Sequence, residues 1–478
     1  MAEDRYVAAI EISSSKIVAV VGKMHAGGQL DIIASEQEKG VESVRYGVIR
    51  NLEEASNRIL RILNKLERKP AVAPRKITGL FVGLSGLSLH SIPTRVSINL
   101  PDDTEITDEI IQRLQKQASH TAIDSSLETI DAVPRIFTVG RTETITPKGV
   151  VGNSISANFD LIVCRPEIKN NLIRTVEDKV KIPIKGIVVT ALASGQLILS
   201  AEEKRLGCML VDMGAETTTV TIYKNGHLVY FATLPLGGRN ITRDLTSLNL
   251  LEERAEETKI SNGSAIPREV KTNLNYNGVR DADVSNIIVA RAEEIVVNVL
   301  KQIQYAELKD SDLPGGIVVI GGTAKLNGMI DLLANKSSLN VRRGVLPQYI
   351  HLEDTKINSA DIIEVASVLY AGASANRDEC LERPEPEKVP ISGVAETEPE
   401  PEPERKPIGR RIVTNAQESL SRCWAQTIQK SLNAQKAVSK QSFQDIPNRS
   451  RARPSIIWIP ARLRSIYLRF QILKGLIA

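Results

Sequence analysis

Two hydrophobic periods take turns along residues 1–376. Residues 6–21 hold two apolar runs around Ser13-Ser14-Ser15, which predicts a β-hairpin with a turn of small hydroxyl residues. Residues 55–66 repeat apolar side chains at helical spacing, and residues 77–82 and 96–100 read as strands. A helix over 108–117 is expected to follow a Thr107 cap. Residues 154–163 form a further strand, and residues 208–212 and 217–223 a second hairpin with Gly214 and Ala215 in its turn. A long helix is predicted over 287–304, and a strand over 316–320 runs into Gly321-Gly322. Such alternation predicts an α/β protein of mixed sheets covered by helices. The two hairpins are an internal repeat, as expected of two related lobes that each offer one hairpin tip to a shared cleft.

The pattern stops near Asn376. Residues 381–404 are rich in Pro and Glu and cannot bury a core, so a disordered linker is expected over about 377–410. Residues 405–478 then hold 15 Lys and Arg against only Glu418 and Asp445, whereas residues 1–404 hold 46 basic and 55 acidic side chains. An acidic body with a basic tail suggests that the tail meets an anionic surface. Two tail stretches have amphipathic spacing. One is 416–432, with Leu420, Cys423, Trp424, Ile428 and Leu432 on one face. The other is 461–478, with Leu463, Ile466, Tyr467, Phe470, Leu473 and Ile477 on one face. Arg462, Arg464, Arg469 and Lys474 are placed to reach lipid headgroups, and Trp458 to anchor at the interface. A core helix or a protein-binding helix would have the same spacing. Aromatic residues are too sparse here for base stacking, so no nucleic-acid partner is expected.

At 478 residues the chain exceeds the roughly 250–300 that one compact core sustains. With 42% hydrophobic but only 4% aromatic residues, its cores are expected to be built from Ile, Leu and Val. Cys164, Cys208, Cys380 and Cys423 are widely spaced without a CxxC or a neighbouring His, which argues for reduced thiols rather than zinc or disulfides. The five histidines form no metal-ligand pair, and His227 is expected to be solvated in an Asn225-Gly226-His227 turn. The opening MAEDRYVAAIEI lacks the apolar region of a secretory signal. No run of about 18 uncharged apolar residues offers a membrane span.

Three motifs carry candidate chemistry. In residues 208–223, CMLVDMGAETTTVTIY, a strand delivers Asp212 to its end, and the turn through Gly214, Ala215, Glu216, Thr217 and Thr218 can aim backbone N–H groups at phosphate oxygens. A carboxylate at the base of such a turn can hold Mg2+ through water. The first hairpin repeats this logic with Glu11, Ser13, Ser14 and Lys16. In residues 316–328, GIVVIGGTAKLNG, a strand ends in Gly321, Gly322 and Thr323 and leads toward a helix, where a flat ring or an anion can approach the backbone. Each motif alone also fits an ordinary turn. No GxxxxGK[ST] is present, so this is not a P-loop protein.

Taken in order, the three motifs resemble the phosphate-1, phosphate-2 and adenosine motifs of the actin-like ATPases. Four further stretches narrow the resemblance to the FtsA family, which attaches the bacterial division ring to the membrane. They are ALASGQLILSAEEKRLG (191–207), LPLGGRNITRD (234–244), AEETKI (255–260) and an insert with VGLSG, AVPRIFTVG and PKGVVGNSISANFDLIV between 82 and 163. The resemblance covers residues 5–376. It implies an actin-like two-lobe ATPase fold with an FtsA-type inserted subdomain and a disordered C-terminal tail. The implied division is a lobe 1 core (1–83, 164–205 and about 345–376), an SHS2-like insert (84–163), a lobe 2 core (206–245 and 314–344), a lobe 2 small subdomain (246–313), the linker (377–410) and the basic tail (411–478).

It also implies ATP and Mg2+ in the cleft. Asp212 with Glu11 would hold the metal, Gly237 and Gly238 would line the cleft, and Glu256, Lys259, Gly321, Gly322 and Thr323 would hold the adenosine. Hydrolysis would be slow at most, since Glu11 stands where the superfamily usually has Asp. Implied partners are the C-terminal peptide of tubulin-like FtsZ, near Arg291 on the second lobe, further copies in head-to-tail protofilaments, the anionic inner face of the cell membrane at the septum, and other division proteins. A solvated helix face is the plainer reading of Arg291. A small-molecule kinase or an FtsA-like pilus-assembly ATPase are the alternatives; neither accounts for the insert together with the long linker.

Overall fold

The computed structural model of the chain describes residues 4–40, 42–268, 278–353 and 358–383. Its first stretch folds as β1 (Arg5–Ile12), β2 (Lys16–Met24), β3 (Leu30–Lys39), the small hairpin β4 (Val44–Arg45) and β5 (Val48–Ile49), α1 (Leu52–Glu67), β6 (Lys76–Ile77) and β7 (Leu80–Leu84). The insert follows as β8 (His90–Glu105), α2 (Asp108–Ser119), β9 (Glu128–Val139), β10 (Thr142–Thr144) and β11 (Val151–Cys164). Next come α3 (Pro166–Ile173), β12 (Ile184–Val189), α4 (Thr190–Ile198) and α5 (Ala201–Leu206). The second lobe adds β13 (Cys208–Met213), β14 (Thr218–Lys224), β15 (His227–Leu234), α6 (Gly238–Leu245), α7 (Glu252–Asn262), α8 (Asp281–Tyr305), β16 (Ile317–Ile320), α9 (Met329–Ser337) and β17 (Val341–Arg343). The chain then returns to the first lobe as β18 (Ile350–Leu352), α10 (Ile363–Ala375) and β19 (Leu381–Glu382).

Both predicted hairpins form, β1 with β2 around residues 13–15 and β13 with β14 around residues 214–217. The first lobe is a six-stranded sheet in the order β12-β7-β1-β2-β3-β18. Its strands are apolar on both faces because helices cover both, as in the run Val7 to Ile10, which is buried throughout. The second lobe's strands alternate instead. Leu210 packs into the first lobe's core, whereas Met209, Val211 and Met213 face α6, α8 and α9. Between the lobes, α4 packs on α10. Both helices are rich in Ala, Ser and Gly, which lets their axes approach closely.

The insert has its own core, built on Ile155, Phe159, Leu161, Phe137 and Leu114. By chain order it interrupts the first lobe, yet its sheet extends the second. The order is β10-β9-β11-β8-β15-β14-β13-β16-β17, joined at the pair Ala232–His90. That junction is thin, and side chains reinforce it. Ser91 Oγ accepts from Phe231 N–H at 3.1 Å. Arg135 donates to both oxygens of fully buried Asp160 at 2.5 and 2.6 Å, and to the Val229 carbonyl at 2.9 Å. A buried carboxylate in a two-point bond with a guanidinium fixes orientation as well as distance.

Three expectations change. Residues 377–383 do not open a disordered linker: β19 pairs with β6, and Cys380 N–H donates to the Tyr6 carbonyl at 2.9 Å. His227 begins β15 rather than sitting solvated in the turn. The turn is Asn225-Gly226, both with positive φ as a two-residue hairpin requires, and His227 Nδ1 is buried without a partner among the described residues. Burial pushes the imidazole pKa down. Thr107 occupies the N-cap of α2 but makes no side-chain hydrogen bond to the helix N–H groups. Cys164, Cys208 and Cys380 are free and buried, and burial pushes their thiols up to about 11, 12 and 11. The expected membrane residues Trp458, Leu463, Ile466, Tyr467, Phe470 and Leu473 lie outside the described residues.

Asp160→Ala strands Arg135 at the junction between insert and second lobe. Loss of one partner of a buried pair costs about 3–5 kcal/mol, and the effect should fall at the lower end because Arg135 keeps 27% of its side chain exposed. Chemical denaturation of the variant against wild type measures this, and a loss below about 1 kcal/mol would show that the pair does not hold the junction.

Candidate functional site

The cleft between the lobes is built by four turns. The first is the β1–β2 turn. Ser13 N–H and Ser13 Oγ both donate to the Lys16 carbonyl, at 3.0 and 2.8 Å, and Ser14 Oγ accepts from Gly47 N–H at 3.2 Å. These two hydroxyls therefore shape the turn. The N–H groups of Ser14 and Ser15 have no partner among the described residues and remain available to an anion. Lys16 Nζ donates to the Asp361 carbonyl at 2.6 Å, which ties the turn to the segment leading into α10.

The second turn, Gly214 to Thr217, closes through Gly214 N–H to the Thr217 carbonyl at 2.9 Å. Its carbonyls point outward and organise the two remaining turns. The Gly214 carbonyl accepts both Gly238 N–H, at 3.1 Å, and Thr323 Oγ1, at 2.7 Å. The Ala215 carbonyl accepts Arg239 N–H at 2.7 Å. Gly237 must be glycine for this approach, since a Cβ there would stand 2.5 Å from the Ala215 oxygen. The Ala215 and Glu216 N–H groups find no partner among the described residues. With its carbonyls turned to protein and its N–H groups free, the turn has the polarity of an anion-binding nest. Thr218 Oγ1 donates to the Leu236 carbonyl at 2.7 Å and so also braces the turn.

Behind this junction stands α7. Lys259 Nζ donates to Glu256 Oε2 at 2.7 Å, Thr242 Oγ1 at 3.0 Å and the Gly238 carbonyl at 3.1 Å. The i, i+3 spacing brings Glu256 and Lys259 together on the face that meets α6. Burial lowers the Lys259 pKa, and Glu256 opposes the shift. Gly321, with φ +92°, turns the chain beside Asp212, and Gly322 is open to the cleft with no atom near its Cβ position. Gly237, Gly238, Glu256, Lys259, Gly321, Gly322 and Thr323 are thus neighbours.

Carboxylates crowd the cleft. Burial raises the Asp212 pKa well above its ordinary value, and the charges of Glu364 and Glu11 add to it, with Lys16 opposing. Glu364, on the first turn of α10, is likewise raised by burial. Glu11 is 7% exposed and pushed up to about 7, by burial first, although the hydroxyls of Thr190 and Ser85 donate to it at 2.8 and 3.0 Å. Gly83 makes room for it: a Cβ there would stand 1.7 Å from Glu11 Oε2. The longer side chain is therefore held by its own lobe and contributes negative charge more than a free ligand. Three carboxylates against the Lys16 ammonium fit a divalent cation. Among the described residues no three metal-ligating side chains are close enough to cage one directly.

The side chain of Glu216 is taken up by arginines, and its backbone N–H alone is left for the expected role at the phosphates. Its carboxylate, 1% exposed, accepts from Arg45, Arg239 and Arg243, each at 3.0 Å, and from Tyr46 N–H at 2.7 Å. Arg291 is not a free cation on a solvated face. It bonds Asp244 at 2.5 and 3.1 Å and also Glu294, and it lines a groove of about 540 Å³ with Arg243, Thr246, Ser247, Ile287 and Ala290. The sequence alone gave no sign of Ser85, Gly83, Thr190, Arg45 or Glu364. Each lies far along the chain from the motif it serves.

Comparison with known proteins fits this geometry. Residues 209–367 match the family described as cell division protein FtsA, and residues 86–163 match the SHS2 domain inserted in FtsA. The cell division protein FtsA of Porphyromonas gingivalis is 32% identical over 331 residues, which cover 67% of this chain and 68% of that one. The Bacillus subtilis FtsA is 31% identical over 359 residues, covering 72% and 79%. The chain belongs to the FtsA family. Its fold is the actin-like one with the FtsA insert. The type IV pilus PilM–PilN complex aligns with a TM-score of 0.55 at 14% identity over 77% of this chain and 98% of that one, a likeness of fold alone. FtsA-family proteins act in cell division. Among the described residues no helix is long and apolar enough to cross a membrane.

Glu11 makes the site pH-sensitive. Its carboxyl is raised from 4.5 to about 7, so the folded chain keeps a proton where the unfolded chain has lost it. The stability this contributes is complete below about 4.5 and is lost as pH rises through about 7. Thermal unfolding of wild type should weaken across that window, and Glu11→Gln should flatten the slope by Glu11's share. Parallel slopes for the two proteins would show that the carboxyl is not perturbed.

Proposed function

We propose that this FtsA-family chain binds ATP with Mg2+ in the interlobe cleft, polymerises head to tail, and tethers FtsZ to the cytoplasmic membrane at the division septum. One observation carries the reading: the Gly214 carbonyl locks the phosphate-2 turn to the Gly237-Gly238 and Thr323 turns while nearby N–H groups stay open. The N–H groups at Ser14, Ser15, Ala215 and Glu216 would take the phosphates, with Ser13, Lys16, Gly214, Thr217 and Thr218 shaping the cradle. Gly237, Gly238, Glu256, Lys259, Gly321, Gly322 and Thr323 would form the adenosine side. Asp212, with Glu11, would hold Mg2+ through its waters. The ion would neutralise phosphate charge; the chain's own part is to orient the triphosphate. Because Glu11 is engaged by Ser85 and Thr190, hydrolysis would be slow, and the protein would act mainly as an ATP-dependent scaffold.

The FtsZ C-terminal peptide would dock in the groove of Arg291 and Arg243, where its acids would compete with Asp244 and Glu294 for the guanidiniums. The basic tail, with Trp458, Leu463, Ile466, Tyr467, Phe470 and Leu473 on its apolar face, would lie on anionic lipid. Polymerisation would multiply the weak grip of each tail.

Asp212→Asn should weaken Mg·ATP binding by roughly 10–100-fold, the usual loss when a group that orients a metal's shell is removed. Isothermal titration reads this, and unchanged affinity would remove Asp212 from the site. For the tether, FtsZ should sediment with anionic liposomes in the presence of the full chain. It should stay in solution when the chain is truncated after Glu404. FtsZ binding without liposome recruitment would overturn the role of the tail.

A further inference from the structure

The tip of the β4–β5 hairpin touches both phosphate turns, one from each lobe. Tyr46 and Gly47 both have positive φ, as a two-residue turn demands. Gly47 N–H reaches Ser14 Oγ in its own lobe, and Tyr46 N–H reaches Glu216 across the cleft. Arg45 follows across the cleft to the same carboxylate, which Arg239 and Arg243 of α6 hold from behind. Two guanidiniums of its own lobe fix this buried carboxylate whether or not the first lobe is near. Arg239 and Arg243 keep Glu216 satisfied inside its own lobe, while Arg45 and Tyr46 supply the bond that exists only when the lobes are together.

We propose that Glu216 with Arg45 and Tyr46 forms an interlobe latch that holds the cleft closed and thereby slows release of whatever the cleft holds. The consequence for ATP rests on the nucleotide reading of the cleft; the latch itself does not. A nucleotide between the two phosphate turns leaves when the lobes part, so the latch adds directly to the barrier for release. Arg45 is a positioning residue: its guanidinium acts through Glu216, and 41% of its side chain is exposed, so it can let go without a buried charge being stranded. Arg243 links the latch to the second-lobe groove that it also lines.

The test uses the full chain. Release of a fluorescent ATP analogue, chased with unlabelled ATP, should speed up about tenfold in Arg45→Ala, the ratio that 1.4 kcal/mol of latch energy corresponds to. Arg45→Lys should restore part of the retention. Glu216→Gln should also speed release, and adding Arg45→Ala to it should change little, because the two act as one unit. Arg61→Ala, which breaks a surface ion pair to Glu38 on the same lobe, should leave release unchanged. Spin labels on Asn57→Cys and Asn262→Cys, one exposed position in each lobe, report the lobe separation without any nucleotide. In Arg45→Ala the distance distribution should lengthen or broaden. If the wild type binds no analogue, the nucleotide reading falls and the labels alone decide the latch. Unchanged distances overturn it, as do release rates equal to wild type in a protein that does bind the analogue.

Discussion

Two hydrogen bonds to one backbone oxygen, the carbonyl of Gly214, set the architecture of the second lobe's half of the cleft. One donor comes from the first residue of α6 and the other from the loop after β16. These segments are separated by most of the lobe in sequence, and their meeting requires backbones to approach where a Cβ would collide. An oxygen that accepts twice directs its turn's remaining N–H groups elsewhere. The polarity of the anion nest is therefore a consequence of how the loops are tied. A change that loosens either donor would rotate the turn and misaim the nest, even without touching a ligand.

The charges in the cleft follow the same division between holding and waiting. Glu216 is over-supplied with cations and is a fixed structural point. Asp212, Glu11 and Glu364 are under-supplied: burial raises all three pKa values, neighbouring carboxylates add to it at Asp212 and Glu11, and Lys16 opposes. A cluster left in this state is destabilising unless a cation joins it or protons stay bound. The energetic deficit is thus concentrated at the spot where a hydrated metal would relieve it.

The elements of the fold were legible because the period of the apolar positions is local. The hairpins around residues 13–15 and 214–217 stand where the pattern predicts, and the long helix α8 covers the predicted 287–304 but starts earlier, at Asp281. The turn motifs were legible because Gly-Gly pairs and small hydroxyl residues are local signals too. What the pattern could not carry was the pairing of distant side chains. Glu11 with Ser85 and Thr190, and Glu216 with Arg45, join residues 74 to 179 positions apart. The strand β19 was hidden for a different reason. It is two residues long at the edge of a Pro/Glu-rich stretch, and it exists only because β6 offers an unpaired edge to Leu381 and Glu382. His227 misled because an Asn-Gly turn needs only two residues, which puts the third at the start of a strand.

The insert raises a mechanical question that the sheet order answers. It leaves the first lobe after β7 and returns before α3, yet its strands continue the second lobe's sheet. Relative motion of the lobes must therefore carry the insert with one of them. On the second-lobe side stand one ladder pair, the Ser91 hydroxyl and the bond from Arg135 to the Val229 carbonyl. On the first-lobe side the two connecting segments are held to each other where Arg165 N–H donates to Ser88 Oγ at 2.8 Å, and Lys169 of α3 pairs with Glu128 of β9. The Arg135–Asp160 pair lies within the insert and holds the guanidinium in place for its bond to the second lobe. The insert thus shares its backbone ladder with the second lobe, while its connecting segments and the Lys169–Glu128 pair hold it to the first.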